Sequence, residues 1–84
     1  MGKHEKLLAK LKSRSKDFTF QELATLLAGF GYRLSTQGRS SGSAVRFVHS
    51  EHAPISLHKP HPGNELKRYV IEDVIERLER DGVI

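Results

Sequence analysis

The sequence has 84 residues, of which 14 are Lys or Arg and 10 are Asp or Glu, so its formal net charge is +4. A chain of this length forms one domain with a small core, and 37% hydrophobic and 29% charged residues are ordinary for a globular protein. The absence of cysteine excludes disulfide bonds, Cys-based zinc sites and thiol catalysis, and together with the lack of a hydrophobic signal segment or membrane-length apolar run it predicts a cytoplasmic protein.

The first 16 residues are predicted to contain a short basic helix. Within residues 3–16, Leu7, Leu8 and Leu11 have helical spacing, and residues 1–16 hold six bases and one acid. Nothing else in this segment indicates tertiary packing. We therefore expect a loosely docked N-terminal basic helical extension (1–16) followed by the main domain (17–84).

A second helix is predicted to begin at a capping box. Thr19 is followed three residues later by Glu22, and the two side chains can satisfy backbone N–H groups that have no partner at a helix start. Gly29 and Gly31 end this helix, because glycine readily adopts the left-handed conformation of a helix C-terminus. Apolar residues recur between these limits at helical spacing: Phe20, Leu23, Leu26, Leu27 and Phe30.

Three strands are predicted next, because the apolar period changes from 3.6 to 2. The strands cover residues 32–36, 44–49 and 55–58, with a polar turn between the first two and a short loop before the third. Pro60 and Pro62 end the third strand, since proline cannot donate a hydrogen bond to a neighbouring strand.

A last helix is predicted after Asn64, which we expect to cap it. Gly82 ends this helix, and Val83 and Ile84 are expected to fold back onto the core. Its apolar stripe contains Val70, Ile71, Val74, Ile75 and Leu78, and its polar side contains Glu72, Asp73, Glu76 and Glu79. We interpret the polar side as a solvated helix face, with an acidic patch for a partner protein as the alternative.

These elements predict an α+β fold with a three-stranded antiparallel sheet and two helices on one face. The α-β-β-β-α order is that of the double-stranded-RNA-binding domain (dsRBD), here with an extra N-terminal helix. The other sheet face stays open. The expected register pairs Phe47 with Leu57, Arg46 with His58 and Ala44 with Pro60, so that Ala44, Arg46 and His58 share the open face.

Two histidines and a lysine near the end of the third strand could carry chemistry. His58 and His61 flank Lys59, and imidazoles can transfer protons at a phosphodiester while lysine holds the phosphate. The alternative is an exposed turn without a function. A metal site is not predicted, because His49, His52, His58 and His61 have no Cys partner and no helical zinc-binding frame.

Two segments of the sequence resemble the HicA toxins of bacterial toxin–antitoxin pairs, also called the YcfA-like family. The segments are RSSGSAVRF at residues 39–47 and LHKPHPGNELK at residues 57–67, and the resemblance extends from Thr19 to Gly82. It implies a dsRBD-like fold, metal-independent cleavage of mRNA by an endoribonuclease (an mRNA interferase) without any cofactor, and inhibition by a HicB-like antitoxin.

One position departs from this family. Many HicA proteins carry a catalytic histidine directly after the Gly-Ser, whereas this chain has Ala44, whose methyl group cannot transfer a proton. Three explanations stay open: a natural variant that uses His58 or His61, a natural weak binder of RNA or antitoxin, or an engineered replacement.

The sequence thus predicts an RNA-cleaving toxin with a vacant catalytic position at Ala44. His58, or else His61, is the remaining candidate for proton transfer, and Arg46 is expected to stabilise transition-state charge. The alternatives are a non-catalytic RNA- or antitoxin-binding module of the same fold and a domain that binds only proteins. The residues expected to bind RNA are Arg39, Arg46, Lys59, Lys67 and Arg68.

Overall fold

The computed structural model describes residues 2–35, 44–60 and 63–84. It has the predicted α+β architecture, with an antiparallel sheet of strand order β1-β2-β3 and the described helices packed against one of its faces. None of the described helices is long and apolar enough to cross a bilayer. The elements are α1 (Lys3–Lys12), α2 (Phe20–Gly29), β1 (Arg33–Ser35), β2 (Ala44–Val48), β3 (Ile55–His58) and α3 (Arg68–Arg80).

Helix α1 is shorter and more tightly packed than the sequence suggested. It ends at Lys12, because the Ser13 hydroxyl donates to the Lys10 carbonyl and Arg14 takes a left-handed conformation with a φ of 55°. Leu7 and Leu11 are buried in the same core as α2 and α3, and Leu11 has no exposed surface. The expectation of loose docking was therefore wrong. The division of the chain at residue 16 stays a prediction.

The capping box at the start of α2 is confirmed. The Thr19 hydroxyl accepts a hydrogen bond from the Glu22 backbone N–H at 3.2 Å, and the Glu22 carboxylate accepts one from the Thr19 backbone N–H at 2.9 Å. The predicted end is also confirmed, because α2 stops at Gly29 and Gly31 has a φ of 99°. The chain can therefore reverse into β1 immediately after the helix.

The segment before α3 is anchored differently from the prediction. The N-cap of α3 is Lys67, and Asn64 uses its backbone carbonyl to accept a hydrogen bond from the Phe20 N–H at 2.9 Å. The Leu66 N–H donates to the Phe18 carbonyl at 2.8 Å, so the segment runs beside the entrance to α2. Main-chain pairing therefore fixes this segment, which is why the Asn64 side chain does not cap the helix.

The end of α3 matches the prediction. Gly82 has a φ of 75°, and the Val83 N–H returns to the Leu78 carbonyl at 2.9 Å. Val83 and Ile84 pack against the core. The core itself joins all layers through Leu7, Leu11, Phe18, Phe20, Leu23, Leu26, Leu27, Tyr32, Phe47, Ile55, Leu66, Ile71, Val74, Ile75 and Leu78.

The predicted sheet faces are confirmed, but the predicted strand pairs were wrong by two residues. Ala44 pairs with His58 and Phe47 pairs with Ile55. The loop between β2 and β3 is longer than expected because His49 leaves the sheet: its ring accepts a hydrogen bond from the Glu51 N–H at 2.9 Å. A shift of two residues preserves side-chain direction, so every residue keeps its face.

Candidate functional site

The open face of the sheet is the face on which none of the described helices packs. Side chains alternate along a strand, and directly paired residues of antiparallel strands point to the same side. The register therefore puts one set of residues on this face: Arg33, Ser35, Ala44, Arg46, Val48, Ser56 and His58. The set contains two guanidinium groups and one imidazole but no carboxylate, so the described part of this face is cationic.

Arg33 and Arg46 concentrate this charge on neighbouring strands. Arg33 pairs with Val48, which is two residues from Arg46 on β2. The two arginines are therefore diagonal neighbours, with Cα atoms about 7–8 Å apart. Both are exposed, and neither forms an ion pair within residues 2–35, 44–60 and 63–84. Their charges therefore act on solvent and on any bound anion. Arg33 is not among the residues predicted from the sequence to bind RNA, although the alternation of β1 places it on this face once the register is known.

Ala44 and His58 are directly opposite each other on the open face. They are paired residues on β2 and β3, both exposed, so their Cβ atoms are about 4.5–5.5 Å apart. Arg46 lies two residues further along β2 on the same face, about 7 Å from Ala44. The imidazole, the methyl group and the guanidinium therefore belong to neighbouring positions of one face, where all three can contact the same phosphodiester.

Lys59 does not belong to the open face, contrary to the sequence prediction. It follows His58 and points to the other side, where its ammonium lies 5.4 Å from the centre of the Phe20 ring. Phe20 is a core residue at the start of α2. The strand alternation that keeps His58 on the open face is the reason that Lys59 leaves it.

Lys67 and Arg68 are likewise in the helix layer. Lys67 is the N-cap of α3, and Arg68 is the first residue of that helix. The Arg68 guanidinium donates to the Glu72 carboxylate at 3.1 Å, and Arg14 of the segment after α1 reaches the same carboxylate at 3.4 Å. Arg14 thereby links the end of α1 to α3, and the two predicted RNA-binding bases belong to the helix layer, not to the paired strands that carry Ala44 and His58. Arg39 and His61, the remaining predicted site residues, lie outside the described residues.

His49 and His52 form a structural ring cluster with Tyr32 at the other end of the sheet. The His49 ring is 4.8 Å from the Tyr32 ring and 4.5 Å from the His52 ring. Its Nδ1 accepts from the Glu51 N–H, so its Nε2 carries the proton and donates to the Phe30 carbonyl at 3.0 Å. Both ring nitrogens of His49 therefore already have hydrogen-bond partners. The described residues contain no group of three or more His, Asp or Glu arranged to hold a metal.

Tyr32 is buried beneath this cluster. Burial raises the pKa of its hydroxyl above 10.0, and the negative charge of Asp81 adds to the effect. The hydroxyl oxygen has no hydrogen-bond partner in the described structure. Tyr32 therefore stays neutral at physiological pH and serves as a packing residue below the loop.

The fold and this surface define a small two-layer α+β domain with a cationic sheet face. A family model, described as HicA toxin of bacterial toxin-antitoxin, matches residues 20–79. This range covers most of the chain, from the first residue of α2 into α3, and the chain belongs to the HicA toxin family. A search of curated proteins and a search of solved structures gave no significant match.

Membership of this family identifies the chain as a toxin of a toxin–antitoxin system. It also implies a cognate antitoxin as a protein partner.

Proposed function

We propose that the open face binds mRNA and that the chain is an endoribonuclease of weak activity that needs no metal. The observation that carries the proposal is the direct pairing of Ala44 with His58 on a face that has Arg33 and Arg46 and no acid among its described residues. Ala44 occupies the position that the family resemblance identifies with a catalytic histidine. The cationic groups supply affinity for phosphates without reading the base sequence.

The proposed reaction is attack of a ribose 2′-hydroxyl on its own phosphate. The 2′-oxygen forms a bond to phosphorus, loses its proton to a base, and the 5′-oxygen leaves with a proton from an acid. His58 supplies one of these two proton transfers, and Arg46 stabilises the charge that develops on the phosphate oxygens. The second proton-transfer group is missing at Ala44, so cleavage by this chain is slow.

Restoring the second imidazole tests the proposal. Because general acid or base catalysis contributes about 10²–10⁴-fold, Ala44→His should raise the rate of RNA cleavage by about 10²-fold or more. The assay follows a labelled single-stranded RNA in EDTA, together with growth inhibition on expression. Ala28→His is the matched control, because it adds the same imidazole to an exposed position of α2 in the helix layer.

The gain should depend on the neighbouring strand. Ala44→His combined with His58→Ala should return cleavage to the low level of the original chain. If Ala44→His gains neither RNase activity nor toxicity, the catalytic assignment of position 44 is wrong. Because mRNA is translated in the cytoplasm, the proposed function also predicts a cytoplasmic protein.

A non-catalytic RNA-binding module is the second candidate function, and the methyl group of Ala44 favours it. This candidate predicts that the original chain retards RNA in a gel and leaves it intact, even after long incubation. It shares the prediction that affinity falls steeply as the salt concentration rises. A domain that binds only its antitoxin would show no such salt-dependent RNA binding.

A further inference from the structure

A cavity of about 330 Å³ lies where β3 leaves the sheet and passes the first turns of α2. It is lined by residues of α2 and of the segment after β3: Phe20, Gln21, Ala24, Thr25, Lys59, Pro60 and Asn64. The cavity is on the helix side of the sheet. It is therefore distinct from the open face that carries Ala44 and His58.

The walls of this cavity offer one positive charge and several free polar groups. The Lys59 ammonium lies over the face of the Phe20 ring, and it has no carboxylate partner among the described residues. The side chains of Gln21, Thr25 and Asn64 are exposed and make no hydrogen bond to the described part of the chain. The lining of this cavity thus contains an aromatic ring, a cation, two amides and a hydroxyl.

The cavity is next to the proposed catalytic position. Lys59 directly follows His58, and the two side chains point to opposite sides of the strand. Strand β3 forms an edge of the sheet, since β2 is its one neighbour in the order β1-β2-β3. A nucleic-acid strand that passes Ala44 and His58 can therefore turn over this edge and enter the cavity with the adjacent nucleotide.

We propose that the cavity is a binding subsite for one nucleotide of the RNA, beside the position of cleavage. Lys59 binds a phosphate, and Gln21, Thr25 and Asn64 present amide and hydroxyl groups to the base edge, which gives the enzyme a base preference. The cavity volume of about 330 Å³ is at the lower end of the range for small-molecule sites. The proposal rests on the proposed RNA-binding function and adds a specificity site to it.

The charge of Lys59 is tested with Lys59→Met, which keeps an unbranched side chain over Phe20. For a 2′-O-methylated RNA that cannot be cleaved, affinity should fall by about three- to tenfold, and the magnitude of the slope of log K against log salt should decrease by about 0.7. Lys6→Met is the matched control, because it removes the same charge from an exposed position of α1. It should leave both quantities close to those of the original chain.

The base preference is tested with the double variant Gln21→Ala, Thr25→Ala. Both residues are exposed on a helix, where alanine is well tolerated, and thermal unfolding checks that the fold is kept. Affinities are compared among four RNAs that differ in one base. A preference of roughly tenfold in the original chain should shrink to less than about twofold in the variant, while the salt slope stays the same.

The outcomes separate this proposal from the proposed function. If Arg46→Ala weakens RNA binding but the cavity variants bind like the original chain, RNA binding stands and the nucleotide subsite is refuted. If the cavity variants lose affinity for the cognate antitoxin and keep their affinity for RNA, the cavity belongs to the protein partner and the subsite is again refuted. If the original chain shows no salt-dependent RNA binding, the proposed function itself fails.

Discussion

Truncation of Leu11 should destabilise the whole domain, because α1 is part of its core. Leu11 has no exposed surface and contributes to the cluster that includes α2 and α3. Replacing a buried leucine by alanine costs about 2–5 kcal/mol, through the lost transfer free energy and the cavity that is left. We expect about 3 kcal/mol for Leu11→Ala. At about 4–8 °C per kcal/mol for a domain of this size, the Tm should fall by about 12–24 °C.

The assay is chemical and thermal unfolding of the full chain, followed by circular dichroism. Leu8→Ala is the matched control, because Leu8 lies in the same helix and is only partly buried against the core. Its cost should be clearly smaller, about 1 kcal/mol. If Leu11→Ala changes the free energy of unfolding by no more than Leu8→Ala, α1 is not part of the cooperative unit and this account of the core is wrong.

Two further predictions concern the helix ends. The hydrogen bond from the Thr19 N–H, and then that from Lys10, lowers the pKa of Glu22 below its ordinary value of 4.5. Glu22 therefore adds stability above pH 4.5 that is lost as the pH falls through its folded-state pKa. In urea unfolding, Glu22→Gln should cost about 0.5–1 kcal/mol at pH 7 and much less at pH 3. An equal cost at both pH values would contradict this role of the Glu22 carboxylate. A Cβ on Gly29 would collide with the His4 ring, so Gly29→Ala should destabilise the original chain but stabilise a His4→Ala background by up to about 1 kcal/mol. Equal effects of Gly29→Ala in both backgrounds would refute this contact.

The order of elements could be predicted because local chemistry and the global fold agree. The capping box at Thr19 and the glycines after α2 act within a few residues, so they are visible in the sequence. The docking of α1 could not be predicted in this way. Three leucines in a lysine-rich segment do not reveal whether a partner surface exists, and the burial of Leu11 depends on residues of α2 and α3 that are distant in sequence.

The candidate site was predictable to the level of faces but not of pairs. Alternation fixes the side of the sheet for Arg46 and His58 whatever the register is. The pairing of Ala44 with His58 depends on the loop between the strands, where the hydrogen bonds of His49 add length that no short motif reveals. The same alternation, applied one residue further, would have excluded Lys59 from the open face.

Bases near each other in sequence were also separated by the fold. Lys67 and Arg68 follow β3 closely, but the pairing of residues 64–66 with residues 18–20 carries them into the helix layer. Arg33 is far from Arg46 in sequence, and the antiparallel pairing of β1 with β2 makes them neighbours. Long-range pairing therefore decides which charges form a surface.

The most direct test of RNA binding by the open face is an NMR titration of the isotope-labelled full chain with a 2′-O-methylated single-stranded RNA. If RNA binds the open face, the amide and side-chain signals of Arg33, Arg46 and His58 shift on binding, and the affinity falls steeply with added salt. Shifts confined to the outer surfaces of α1 and α3, with these three residues unchanged, would contradict it.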